Sequence, residues 1–74
     1  MAEIVITEFM EQSAVSSLAA DFDCLYDPRL VDDAGRIHAM LADCRGLIVR
    51  NRTRVDAAMM DAAPNLRVIG RLGV

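Results

Sequence analysis

The sequence has no lysine and no tryptophan, and its eight basic residues are all arginine. Aromatic residues make up only 4% of it. A nucleic-acid surface is more often basic overall and interleaved with aromatics. With a net charge of −3, this chain is expected to bind no nucleic acid. Its apolar residues fall in short runs, none near the roughly 20 residues that cross a bilayer, so no membrane association is expected. The first residues show no basic stretch followed by a long apolar core and a small-residue cleavage site, and a cytoplasmic chain is the expectation. Cysteine and histidine are scarce: Cys24, Cys44 and His38 are all there is. The two cysteines form no CxxC and have no nearby partner histidine, so they read as reduced thiols packed as small hydrophobes rather than as a disulfide or metal pair. One histidine supports neither a Ser/His/Asp nor a Cys/His constellation, and no metal site is expected.

What the chain does have is apolar content, 54% of 74 residues. That is too much for a disordered segment and enough for a sheet covered on both faces. Four short runs read as strands: Ile4-Val5-Ile6-Thr7, the weaker Cys24-Leu25-Tyr26, Leu47-Ile48-Val49, and Leu66-Arg67-Val68-Ile69. Their starts lie about twenty residues apart, the spacing of a βαβ crossover.

Between them the periodicity is helical. Met10, Ala14, Val15, Leu18 and Phe22 recur at spacings of three and four, as do Ile37, Met40, Leu41 and Cys44. Asp32 or Asp33 is placed to cap the second helix and Gly46 to end it. Thr53 and Asp56 approximate a capping box for a third, with Val55, Met59, Met60 and Ala63 as its apolar side and Pro64 as its stop. The five methionines read as gap-fillers in helix–sheet packing. The expected fold is a flavodoxin-like parallel, right-handed β-α-β-α-β-α-β sheet with helices on both faces. It is incomplete at its C-terminus, because Arg71-Leu72-Gly73-Val74 leaves a strand with no helix after it.

In such a sheet, ligands bind beyond the carboxyl ends of the strands, here Thr7-Glu8, Asp27, Arg50-Asn51 and Arg71. A dinucleotide-binding unit needs glycines in its first turn so that phosphate can approach the helix N-terminus. This turn reads Thr7-Glu8-Phe9-Met10-Glu11. It has no glycine and carries two carboxylates, which would repel a pyrophosphate. A magnesium-dependent receiver site would need a carboxylate at the end of the third strand, where Arg50-Asn51 stands instead.

Charge is distributed unevenly. Residues 1–44 hold nine carboxylates and two arginines, residues 45–74 six arginines and two carboxylates. The arginine forks are suited to carboxylate, phosphate or sulfonate. Arg50, Arg52 and Arg54 crowd the third strand end, where the amides of a following helix would add to the pull on an anion. A solvated basic loop is the competing interpretation. His38, in the middle of the second helix and away from the strand ends, reads as a surface or boundary residue.

From residue 47 onward two motifs carry a resemblance. Leu47-Ile48-Val49-Arg50-Asn51-Arg52-Thr53, followed by Ala62-Ala63-Pro64-Asn65-Leu66-Arg67-Val68-Ile69-Gly70-Arg71-Leu72-Gly73-Val74, resembles the D-isomer-specific 2-hydroxyacid dehydrogenases in the style of their phosphoglycerate dehydrogenase branch. The resemblance implies that residues 1–74 form the N-terminal part of a substrate-binding domain. It also implies that the NAD-binding Rossmann domain, the catalytic arginine, glutamate and histidine, and the GxGxxG fingerprint all lie downstream. NADP is an alternative cofactor. The implied activity is hydride transfer between NAD and a 2-hydroxy or 2-oxo acid, in a homodimer, with this chain forming one wall of the cleft. By the same resemblance Arg50, Asn51 (where serine is common) and Arg71 face the substrate, although Arg71 serves equally as a strand-end surface charge. Gly73 and Val74 would begin the loop that holds the substrate carboxylate near the nicotinamide, which gives Val74 a cofactor contact. The arginines suggest a substrate with a second anionic group. The alternative function is a stand-alone flavodoxin-like module that binds a small anion without catalysis.

Overall fold

The computed structural model of the chain describes residues 2–72. Gly73 and Val74, assigned above to the carboxylate loop and the cofactor contact, lie outside the described residues. Four strands form one sheet: β1 (Ile4–Ile6), β2 (Cys24–Tyr26), β3 (Gly46–Val49) and β4 (Val68–Arg71). Three helices alternate with them: α1 (Gln12–Asp21), α2 (Ala34–Met40) and α3 (Ala57–Asp61), with a 3-10 turn at Leu30–Asp32 before α2. Every strand pairing is parallel, in the order β2-β1-β3-β4. Val5 stands opposite Leu25 and Leu47, and Leu47 opposite Ile69.

Strand residues alternate between faces, and the core divides accordingly. On one face Val5, Leu47 and Val49 pack with Leu30, Ile37, Leu41, Cys44, Met59 and Ala63, so α2 and α3 cover that side. On the other, Ile6 packs with Met10 and Val15, and α1 lends the half-buried Ala14 and Leu18. Helices therefore lie on both faces, as the two-sided apolarity of the strands requires. Cys44 is fully buried, Cys24 half-buried, and both are free. Among the described residues, no helix is long and apolar enough to cross a membrane.

Several local expectations need correction. α2 ends at Met40, and Gly46 begins β3 instead of ending the helix. Its lack of a side chain has a packing cause, because a Cβ there would meet Ile4 Cγ1 at 3.4 Å and Val68 Cγ1 at 3.6 Å. Of the two expected caps of α2, Asp33 is the one that serves, accepting from the Arg36 amide at 3.1 Å. Asp56, not Thr53, caps α3 by accepting from the Met59 amide at 3.0 Å. Of the apolar side expected for that helix, Met59 and Ala63 are buried whereas Val55 and Met60 are exposed, and Val55 and Ala63 lie outside the helix itself. Met40 is exposed as well, so among the described residues only Met10 and Met59 of the methionines fill the core. Phe22 lies just past α1 and is exposed. β4 starts at Val68, two residues later than its apolar run, because Leu66 packs into the core before the strand begins.

Candidate functional site

The chain runs from β1 outward to β2 and then returns to β3 on the other side of β1. Strand order thus reverses between β1 and β3, and the crevice beyond their carboxyl ends is where an open α/β sheet binds ligands. Two segments meet there, Thr7–Met10 leaving β1 and Arg50–Arg54 leaving β3.

They are joined by side chains from the β1 exit. Thr7 is fully buried, and its hydroxyl hydrogen-bonds the Thr53 hydroxyl at 2.8 Å. Glu8 is 4% exposed. Its Oε2 accepts from the amides of Arg50 at 2.8 Å and Thr53 at 2.9 Å, and its Oε1 from the amide of Arg52 at 3.1 Å. Burial alone would raise the Glu8 pKa; the amide hydrogen bonds and one from the Thr53 side chain outweigh it and hold the carboxyl below its ordinary value. The expectation that this carboxylate only repels phosphate, and that the amides after β3 are open to a ligand, is corrected. Glu8 itself occupies the amides of residues 50, 52 and 53.

The arginines divide by what they touch. Arg50 is half-buried; its guanidinium carbon lies 6.0 Å from the Phe9 ring centroid, and its Nη1 donates to the Phe9 carbonyl at 3.5 Å. Arg52 pairs with Asp32 at 2.6 Å. Both side chains are more than 60% exposed, so this pair adds at most about 1 kcal/mol. Arg54 and Arg71 make no ion pair among the described residues. Asp27, at the β2 exit, is engaged by Arg36 at 3.2 Å.

Arg50, Asn51, Arg52, Arg54 and Arg71 line one cavity of about 480 Å³ together with the apolar Val49 and Ile69. The three described substrate-facing candidates, Arg50, Asn51 and Arg71, therefore come together. A larger hollow of about 540 Å³ opens between Arg45 and Arg67, at the amino ends of β3 and β4 and away from the crevice. His38 is half-buried on α2 and lines a hollow of about 290 Å³ with Arg52, Arg54 and Asp56, so it is nearer the β3 exit than its place in the sequence suggested. Among the described residues, no group of three or more histidine, cysteine or acidic side chains could hold a metal ion.

A pH dependence follows from Glu8. Its folded pKa is depressed, so the stability it contributes is complete above the ordinary glutamate range and is lost as pH falls through the lower, folded value. The groups facing it are the Thr53 hydroxyl and the three amides, while the guanidiniums of Arg50 and Arg52 are turned to Phe9 and Asp32. An NMR titration of the Glu8 carboxyl is expected to give a midpoint below that of a free glutamate. A midpoint at or above it contradicts the assignment.

The chain has relatives. The family model described as "D-isomer specific 2-hydroxyacid dehydrogenase, catalytic domain" matches residues 4–74. The (S)-sulfolactate dehydrogenase of Chromohalobacter salexigens is 47% identical over 74 residues, which are 100% of this chain and 24% of that protein. The D-3-phosphoglycerate dehydrogenase of Mycobacterium leprae is 33% identical over 73 residues, 96% of this chain and 13% of that protein. That of Homo sapiens is 54% identical over 35 residues, 47% of this chain and 7% of that protein. The chain thus spans about a quarter or less of the length of these relatives. No solved structure matches it.

Proposed function

The chain belongs to the D-isomer specific 2-hydroxyacid dehydrogenase family, and we propose that it is the N-terminal part of the substrate-binding domain of a dehydrogenase acting on a 2-hydroxy acid with a second anionic group. One observation carries this reading: four arginines and Asn51 line a single cavity at the carboxyl ends of the neighbouring strands β3 and β4. Guanidinium forks match the planar oxygens of a carboxylate and the oxygen clusters of sulfonate and phosphate. Because Glu8 takes the amides of residues 50, 52 and 53, side chains supply most of this recognition. The relative named for sulfolactate aligns along the whole chain, which makes a sulfonate the first second anion to test.

The described residues do not fit a dinucleotide. The β1–α1 turn has no glycine, and a buried carboxylate stands in it. NAD, or NADP, would accept or deliver the hydride while held by parts of the polypeptide outside this chain. The acid–base residues would also lie outside it. A cytoplasmic homodimer completes the reading.

The test is to assay the full polypeptide for NAD and NADP reduction with sulfolactate, phosphoglycerate, malate and lactate. The expected result is turnover that favours the dianionic acids. A folded protein inactive on all four would refute the dehydrogenase reading and favour a module that only binds a small anion.

A further inference from the structure

Glu8 is a buried carboxylate with no proton to move. Three amides converge on it, from residues 42 to 45 positions later in the chain. It is 4% exposed, and its hydrogen bonds keep it ionised. Converging main-chain N–H groups form a concavity that takes an anion. Here the anion comes from the chain itself, on the adjacent strand. The Thr7–Thr53 hydroxyl pair closes the same junction at 2.8 Å, and the next residue, Phe9, carries the Arg50 guanidinium on its ring and carbonyl. Three consecutive residues leaving β1 therefore grip the segment leaving β3.

We propose that Glu8 is a positioning residue: its carboxylate is a built-in anion that shapes the 50–53 segment, so that the substrate's second anionic group is met there by the guanidiniums of Arg50, Arg54 and Arg71 and not by the main chain of that segment. The proposal rests on the cavity being the substrate cleft. Glutamine cannot take over, because its NH₂ would face an amide N–H and leave at least one donor without an acceptor. Aspartate is shorter by one methylene, about 1.5 Å of reach. Alanine leaves the amides around a void the size of a small carboxylate.

The experiment uses the full polypeptide with Glu8→Gln and Glu8→Ala. Steady-state kinetics on the dianionic acid are combined with hydrogen exchange at the amides of Arg50, Arg52 and Thr53. Because bonds to a charged acceptor are lost, Glu8→Gln is expected to raise KM about tenfold or more and to change kcat less than about threefold. Amide exchange should quicken at the same three residues. Added formate, whose carboxylate can enter the vacated site, should lower the KM of Glu8→Ala and slow its amide exchange, with neither effect on the unaltered protein. Wild-type KM and unchanged protection in Glu8→Gln would overturn the proposal. So would equal losses in KM and kcat for every substrate with no response to formate, since that describes general damage. If Glu8→Ala does not fold, the near-isosteric Glu8→Gln decides alone. If the unaltered protein turns over no hydroxy acid, the substrate-cleft reading fails, while the exchange and formate measurements still decide whether Glu8 is the loop's anion.

Discussion

Arg50→Ala is expected to raise KM for a dianionic 2-hydroxy acid by about ten- to a hundredfold, the range for losing a hydrogen bond to a charged group. KM for lactate should move far less. Arg50 follows β3 directly, and its backbone and side chain are each tied to the β1 exit, the amide by Glu8 and the guanidinium by Phe9. Few rotamers are left to it, so little side-chain entropy is lost when an anion arrives. Arg52 is less well placed to compensate because it is drawn toward Asp32. Lysine at position 50 should restore only part of the loss, since an ammonium is a point charge without the two-pronged fork. Steady-state kinetics on sulfolactate, phosphoglycerate and lactate provide the measurement. Equal effects on all three would remove the idea of a second anion.

Leu47→Ala is expected to cost about 2–5 kcal/mol, the range for emptying a fully buried leucine site. Leu47 is 0% exposed and sits on a central strand, paired with Val5 on one side and Ile69 on the other. It belongs to the larger of the two core clusters, between the sheet and the residues of α2 and α3. The helices there are short, seven residues in α2 and five in α3. Helices of that length depend on packing rather than on their own propensity, so a void beneath them is poorly closed by relaxation. Typical domains are stable by only 5–15 kcal/mol, so the substitution should be visible as a large fall in the urea midpoint. By contrast Val68, on edge strand β4 and 63% exposed, should tolerate alanine within about 0.5 kcal/mol. A Leu47→Ala loss no larger than that of Val68→Ala would contradict the core assignment.

Much of this was legible in the sequence because the signals are local. Ile4-Val5-Ile6 and Leu47-Ile48-Val49 are β-branched runs flanked by helical periodicity, and both are strands. Asp33 sits one residue before α2 and does cap it. The clustering of Arg50, Asn51 and Arg71 follows from parallel topology alone, which brings the carboxyl ends of β3 and β4 to the same edge. The rest depends on contacts that the chain makes only once folded. The 3-10 turn that buries Leu30 completely has no periodic signature, being too short. The start of β4 is set by where Leu66 finds the core, not by the apolar run. The role of Glu8 could not be read locally, because its partners lie on a strand that becomes its neighbour only after the chain has gone out to β2 and come back. Its one sequence trace was a carboxylate in a turn where a dinucleotide-binding unit would have glycine.

The saturated main chain after β3 has a consequence for how such a cleft can diverge. With the amides of residues 50, 52 and 53 committed to Glu8, the backbone is a fixed socket, and what is recognised depends on interchangeable fittings. Asn51 and Arg54 are exposed side chains on that socket. Exchanging them leaves the frame untouched, so descendants can sample new acids by single substitutions without first refolding the loop.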